Sequence, residues 1–184
     1  GYPPGRILSP MALRDVLSEL EALEHAGIVP RFAIGGAAGA TRYIETAATE
    51  DVDVFIAFAE TAAASLAPLG AIYQFLTSRG ARPEGAHVVI GDWPVQFLPT
   101  DNPLLAEALV QAQAEVVDGV RTRIFTAEHL AAIALQLGRA KDKLRVVQFV
   151  EADALDMEVF GAILDRHGLA ERWREFSQSI LGDR

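Results

Sequence analysis

Two aspartates separated by a single residue are the side chains in this sequence best suited to chemistry. Asp51 and Asp53 stand at the start of a segment of alternating apolar residues, which predicts a mostly buried β-strand from Val52 onward. Side chains two residues apart on a strand point the same way, about 7 Å apart along the chain. Like charges at that spacing need a cation, a basic side chain or water to compensate them. The pair therefore suits a divalent metal, and it also suits two solvated aspartates at the start of a strand.

Magnesium is the metal that such a pair favours, with manganese as its substitute. Hard oxygen ligands match Mg²⁺, which commonly takes one or two protein carboxylates and completes its shell with waters and substrate phosphates. Asp51 and Asp53 are therefore predicted to be both metal ligands and catalytic residues.

A pair of glycines precedes the aspartates. The run 31–35 is short and β-rich, and residues 37–44 can form a helix, so Gly35 and Gly36 lie in a turn from strand to helix. Because glycine has no Cβ atom, the backbone amides of such a turn can approach a phosphate group closely. The alternative is an ordinary strand-to-helix turn that binds nothing.

The order of these parts resembles the polymerase-beta-like nucleotidyltransferase superfamily. That family is marked by an apolar residue with Gly-Gly or Gly-Ser and, after a helix, by an acidic-x-acidic pair; Ile34-Gly35-Gly36 and Asp51-x-Asp53 match it. The resemblance covers residues 30–150. It implies a nucleotidyltransferase fold, a glycine turn that binds the phosphates of a nucleoside triphosphate, and metal held by the aspartates.

A second stretch is similar to one branch of these relatives. Gly138-Arg139-Ala140-Lys141-Asp142 looks like the Gly-Arg-x-Lys-Asp stretch of nucleotidyltransferases that include abortive-infection and toxin–antitoxin toxins. The resemblance implies that Arg139 and Lys141 bind nucleotide phosphates, and it adds the 3′ end of a transfer RNA and an antitoxin as candidate partners. With Lys143 and Arg145 they form a basic patch, which equally fits a solvated run of charges at a helix start.

The chain departs from the family at a third carboxylate. The family carries this acid on a neighbouring antiparallel strand, where Gln96 stands here. An amide coordinates metal weakly and cannot accept a proton, so either Asp92 or Asp101 replaces the acid or the general base is lost. Two hypotheses follow. One is a magnesium-dependent enzyme that transfers a nucleotidyl group to a hydroxyl of RNA, protein or a small molecule; the other is a nucleotide-binding module of the same fold without turnover.

The elements that must position these residues follow from hydrophobic periodicity and turn signals. Asp118-Gly119 and Gly91-Asp92 each separate two β-rich runs and predict hairpins, and from Thr126 onward only helical patterns remain. The predicted fold is α/β (α+β), a mixed β-sheet flanked by helices with a C-terminal helical region packed on it as one cooperative unit. The predicted segments are helices over 10–26 and 65–79, hairpins over 86–98 and 115–125, a nucleotidyltransferase core over 1–125 and a helical region over 126–184.

Composition excludes several other classes. The chain has 184 residues, 51% of them apolar, which is enough to bury the core of one domain. It has no cysteine, so disulfides and thiolate chemistry are excluded, and no apolar run reaches the length of a membrane helix. These features predict a cytoplasmic protein.

Net charge and the spacing of the histidines limit which ligands and metal sites the chain can be expected to have. The formal charge of −9 argues against broad binding to a phosphate backbone, so any nucleotide contact must come from a local basic patch. The four histidines, His25, His87, His129 and His167, lack ligand spacing, and no histidine metal site is predicted. Nor does any serine lie in the Gly-x-Ser-x-Gly context of a hydrolase.

Overall fold

The computed structural model describes residues 10–45, 49–57 and 67–182. These residues divide into two compact units. The first comprises the described residues of Gly1–Gly39 and Ala47–Phe125, and the second those of Ala40–Thr46 and Thr126–Arg184. The described residues 40–45 thus belong with the C-terminal helices, and the sequence-based boundary between residues 125 and 126 remains a prediction.

The first unit is built on one mixed sheet of seven strands, in the order β3-β4-β5-β2-β1-β7-β6. Strand β2 is central, with β1 antiparallel on one side and β5 parallel on the other. The outer pairs β3–β4, β4–β5 and β6–β7 are antiparallel, and β1–β7 is parallel. The mixed α/β architecture confirms the predicted fold class. The strands are β1 (Arg31–Ile34), β2 (Val52–Ala57), β3 (Arg82–Glu84), β4 (His87–Ile90), β5 (Trp93–Pro99), β6 (Gln113–Val117) and β7 (Val120–Ile124).

Helices α1 (Pro10–His25) and α3 (Ala67–Ser78) share a hydrophobic core with one face of this sheet. The apolar rhythm of α1 buries four of its side chains almost completely, which confirms the predicted helix; the predicted start of α3 at residue 65 lies outside the described residues. Alternate residues of β2 fill the same core, so the side chains between them, including Asp53, belong to the opposite face. The buried residues in question are Val16, Leu17, Leu20 and Leu23 of α1, and Val52, Val54 and Ile56 of β2.

Both predicted hairpins are present. In the β6–β7 turn Asp118 and Gly119 have φ of +51° and +78°, the conformation that a two-residue hairpin loop requires. Two elements of this unit were not predicted, the short strand β3 and the helix α4 (Pro103–Val110). Helix α4 begins with Asn102, whose side chain accepts a hydrogen bond from Leu105 N–H, followed by a proline in the first turn.

Two local predictions need correction. The helix expected over 37–44 is shorter: α2 spans Gly36–Ala40 and gives way to a turn, as the glycines of this stretch and the following β-branched Thr41 have low helix propensity. Strand β5 carries Gln96 and pairs antiparallel with β4, as the predicted hairpin requires. The family resemblance implied that this strand is also antiparallel to the strand of the aspartates, but β5 runs parallel to β2. The chain between them contains α3, β3 and β4, which is long enough for a crossover connection.

Every secondary-structure element in the described residues of the second unit is a helix, as predicted for the chain from Thr126 onward. Thr126 caps α5 by accepting from His129 N–H, and Gly138 ends it in the left-handed conformation with φ of +67°. Phe160 is fully buried and meets Trp173 edge-on at a ring-centroid distance of 5.1 Å. No helix in the described ranges is both long and apolar enough to span a bilayer. The helices are α5 (Ala127–Leu137), α6 (Ala140–Glu151), α7 (Met157–Arg166) and α8 (Ala170–Phe176), the last continued by a π-helical turn over Ser177–Leu181.

Candidate active site

The turn after β1 lies directly against the carboxylate of Asp53. Gly35 N–H donates to the carbonyl oxygen of Asp53 at 3.1 Å, which continues the β1–β2 pairing by one residue. Gly36 has φ of +58°, and a Cβ atom placed there would lie 2.3 Å from Asp53 Oδ2. A side chain on residue 36 is therefore incompatible with this position of the carboxylate. The glycine pair and one of the two predicted metal ligands are brought together.

Two aromatic rings pack against the other glycine. A Cβ atom on Gly35 would lie 2.6 Å from the ring of Phe55 and 3.0 Å from that of Phe125. The two rings pack against each other at a centroid distance of 4.9 Å, and Phe125 N–H donates to Ile34 O at 3.0 Å. Both glycines are thus required by close packing, Gly35 on the aromatic side and Gly36 on the carboxylate side.

Asp51 contacts a residue that sequence reasoning missed. It immediately precedes β2, and its Oδ2 lies 3.2 Å from Nε2 of His87, the first residue of β4. Both side chains are partly exposed, Asp51 by 38% and His87 by 32%. Histidine spacing along the chain gave no signal here, because the two residues are 36 positions apart and meet only through the sheet order. The two carboxylates therefore have different neighbours, the glycine turn for Asp53 and an imidazole for Asp51.

Gln96 lies beside Asp53 across the β2–β5 pair. The register aligns Asp53 with Gln96 and Val52 with Val95. On the next strand Val88 is aligned with Val95, and one step further along the same register His87 comes opposite Gln96. We call His87, Gln96 and Asp53 the polar row. It crosses three adjacent strands on the face opposite the hydrophobic core.

The remaining acids considered from the sequence lie elsewhere along the chain. Asp92 belongs to the β4–β5 turn and Asp101 follows β5, so neither shares the register position of Gln96 beside Asp53. Within the described residues, no three or more histidine, aspartate or glutamate side chains group closely enough to hold a metal ion. The candidate donors are the carboxylates of Asp51 and Asp53 and the amide of Gln96, which is aligned with Asp53. Their oxygen chemistry fits Mg²⁺ or Mn²⁺ if substrate phosphates and waters supply the other ligands.

The basic patch belongs to the second unit and contains an acid. Asp142 is completely buried, and its Oδ2 accepts from Arg139 Nε at 2.6 Å and from Arg139 N–H at 3.3 Å. Arg145 Nη1 lies 3.9 Å from the other oxygen. The carboxylate at the start of α6 offsets the cost of placing cations at a helix N-terminus. Phosphate binding by Arg139 and Lys141 remains a prediction.

The fold of this chain recurs in solved nucleotidyltransferases. The structure is similar to that of ANT(2")-Ia in complex with adenylyl-2"-tobramycin, with a TM-score of 0.52 and 15% identity over 86% of this chain and 97% of that one. It is also similar to an antigenic nucleotidyltransferase-like protein from Paracoccidioides brasiliensis, with a TM-score of 0.56 and 16% identity over 91% and 94% of the two chains. No family model matches the sequence, and no curated protein matches it. At these identities the likeness shows the nucleotidyltransferase fold.

Proposed function

We propose that this protein transfers a nucleotidyl group from a nucleoside triphosphate to a hydroxyl group of an acceptor. The observation that carries the proposal is the close contact between Gly36 and the Asp53 side chain, which leaves no space for a Cβ atom on residue 36. A turn without side chains beside a carboxylate is suited to bringing a polyphosphate and a cation together.

Each residue of the site has a defined task in this reaction. The glycine turn binds phosphate oxygens through the backbone amide of Gly36, because that of Gly35 already donates to Asp53 O, and Asp51 and Asp53 hold Mg²⁺ or Mn²⁺. The cation, when bound, stabilises charge on the α-phosphate and on the departing pyrophosphate. The acceptor oxygen forms a bond to the α-phosphorus, the bond to pyrophosphate breaks, and the hydroxyl proton leaves to solvent. Arg139 and Lys141 are proposed to bind phosphate on the strength of the Gly-Arg-x-Lys-Asp resemblance alone.

For the acceptor, we favour a neutral or cationic small molecule. The formal charge of −9 disfavours a polyanion such as RNA at long range. The neighbour ANT(2")-Ia, whose structure holds an adenylylated aminoglycoside, supports including such compounds among the acceptors tested. The toxin-like resemblance keeps transfer RNA and an antitoxin partner among the alternatives that the same test separates.

The test is an assay of label transfer from α-³²P nucleoside triphosphates in the presence of Mg²⁺ or Mn²⁺. Acceptors are offered in parallel as aminoglycosides, total RNA and protein extract. We expect the label to appear on one class and to fall at least about a hundredfold in Asp53→Asn, because a misplaced or missing ligand disrupts the reacting geometry. Asp165→Asn, an exposed aspartate of α7, is the matched control and should transfer like the wild type. Equal transfer by Asp53→Asn and wild type would refute the proposal.

A second function has its own supporting observation, the neutral Gln96 aligned with Asp53. Because an amide cannot accept a proton, a chain with this substitution suits binding of nucleotide without turnover. Gln96→Asp distinguishes the two. If the wild type binds nucleotide without transferring it, the new carboxylate should produce transfer; if the wild type already transfers label, the binding-only function is wrong.

A further inference from the structure

We infer that His87 is a positioning residue for Asp51: its Nε2–H donates to Oδ2 and thereby directs the other carboxylate oxygen toward the cation. The inference rests on the proposed function, since it concerns the same metal site. It adds a residue of β4 to a site otherwise formed by the start of β2, the residue before it, the turn after β1 and Gln96 of β5.

The backbone that carries His87 is firmly placed. The three residues that follow it in β4, Val88, Val89 and Ile90, are all buried, and β4 pairs with both β3 and β5. Strand β5 separates β4 from β2 in the sheet. The contact between His87 and Asp51 therefore spans three strands. The backbone from which the imidazole extends is held in place by pairing on both sides of β4.

Asp51 has more need of such a partner than Asp53. The Asp53 side chain is part of β2 and is confined by Gly36, whereas Asp51 precedes the strand and its side chain is 38% exposed. An exposed carboxylate rotates about its side-chain bonds unless a hydrogen bond fixes it. The 3.2 Å contact supplies that bond to one oxygen and leaves the second oxygen for a ligand. In a neutral imidazole, donation from Nε2 leaves Nδ1 as the acceptor nitrogen.

We expect this hydrogen bond to affect the affinity for metal more than the stability of the folded protein. Partly exposed pairs of this kind contribute little to the folded state. Carboxylates that bind metal are, in contrast, commonly held by hydrogen bonds from the surrounding shell, and loss of such a partner lowers metal affinity by about 10- to 100-fold. Binding and folding therefore respond differently to replacement of His87.

Two substitutions isolate the donated hydrogen bond. The amide nitrogen of glutamine extends about as far from the backbone as imidazole Nε2, whereas that of asparagine ends one bond earlier, near the position of Nδ1. We expect His87→Asn to weaken Mn²⁺ binding by about 10- to 100-fold and His87→Gln to retain most of the wild-type affinity. Mn²⁺ binding is measured by electron paramagnetic resonance with a non-hydrolysable nucleoside triphosphate present, and thermal unfolding of all variants should be unchanged.

The outcomes separate the inference from the function on which it rests. Weak binding by His87→Asn with near-normal binding by His87→Gln supports the positioning role. If His87→Asn binds Mn²⁺ like the wild type while Asp53→Asn does not, the role of His87 is wrong and the metal site stands. Equal losses in both His87 variants, with unchanged unfolding, would overturn the hydrogen-bond mechanism. Absence of Mn²⁺ binding by the wild type overturns both proposals.

Discussion

Gly36 and Asp53 approach each other so closely that the turn and the carboxylate must be considered as one structure. The left-handed φ of +58° at Gly36 is disfavoured for residues with a Cβ atom, and the space that such an atom would take is occupied by Asp53 Oδ2. Backbone conformation and packing thus both require glycine at position 36. At the scale of single residues, the site depends on this absence of a side chain.

Gly36→Ala should damage the site and the fold together. The added methyl group must displace either the Asp53 carboxylate or the turn, and the alanine must adopt a strained φ. We expect the free energy of unfolding to fall by about 1–3 kcal/mol and nucleotide transfer by about a hundredfold. Denaturant unfolding and the label-transfer assay measure the two effects.

Gly70→Ala is the control for this substitution. Gly70 is exposed in α3, and a Cβ atom there meets nothing within 4 Å. Alanine favours a helix over glycine by up to about 1 kcal/mol, so this variant should be at least as stable as the wild type and equally active. If Gly36→Ala were as stable and as active as Gly70→Ala, the close approach of Gly36 to Asp53 would not matter for function.

Sequence reasoning could propose Asp51, Asp53, Gly35 and Gly36 as site residues because the turn and β2 are neighbours along the chain, and their roles remain a prediction. It missed His87, whose contact with Asp51 depends on which strands are adjacent in the sheet. Only an alignment of β4, β5 and β2 reveals the polar row, and no local pattern encodes that alignment.

The helix α6 shows how an element can tolerate cations at its start. Asp142 is buried in the first turn, and its carboxylate accepts hydrogen bonds from both the guanidinium and the backbone N–H of Arg139. The backbone donor and the guanidinium would both lose this partner if the carboxylate were removed. The stability of the second unit therefore depends on an acid inside a basic segment.

Asp142→Ala should lower the free energy of unfolding by roughly 2–3 kcal/mol, the size expected for lost hydrogen bonds to a buried charge. Chemical denaturation measures the loss. Glu151→Ala, an exposed acid at the end of the same helix, provides the comparison and should change stability by less than about 0.5 kcal/mol. Similar effects of the two substitutions would mean that the buried ion pair contributes no more than a surface charge.

The elements most visible in the sequence were those with local signals. Asp118-Gly119 specifies a two-residue hairpin by backbone conformation, and Gly138 ends α5 for the same reason. Strand β3 was missed because Arg82-Pro83-Glu84 is entirely exposed and has no apolar alternation. The predicted direction of β5 relative to β2 was wrong, because this direction is set by the long connection between the two strands and not by any residue within β5.

At the scale of the whole molecule, the negative charge sets the condition for binding a nucleotide. A formal charge of −9 repels a triphosphate, and that repulsion is screened by salt. A divalent cation between the aspartates and the phosphates would turn this repulsion into attraction at the site. Binding is therefore expected to depend strongly on metal.

Removal of divalent cations with EDTA should weaken nucleoside triphosphate binding by more than about tenfold, and the residual binding should improve as salt is added. Isothermal titration calorimetry at two ionic strengths measures both effects. In Asp53→Asn the affinity should no longer depend on Mn²⁺. A wild-type affinity that is unaffected by EDTA would mean that no cation joins the nucleotide to the protein.

The most direct test of the site is anomalous diffraction from crystals grown with Mn²⁺ and a non-hydrolysable nucleoside triphosphate. We predict a manganese peak within coordination distance of the Asp51 and Asp53 carboxylates, with triphosphate oxygens at the Gly35-Gly36 turn, on the backbone amide of Gly36. A nucleotide bound away from that turn, or a manganese peak away from both aspartates, would contradict the proposed function.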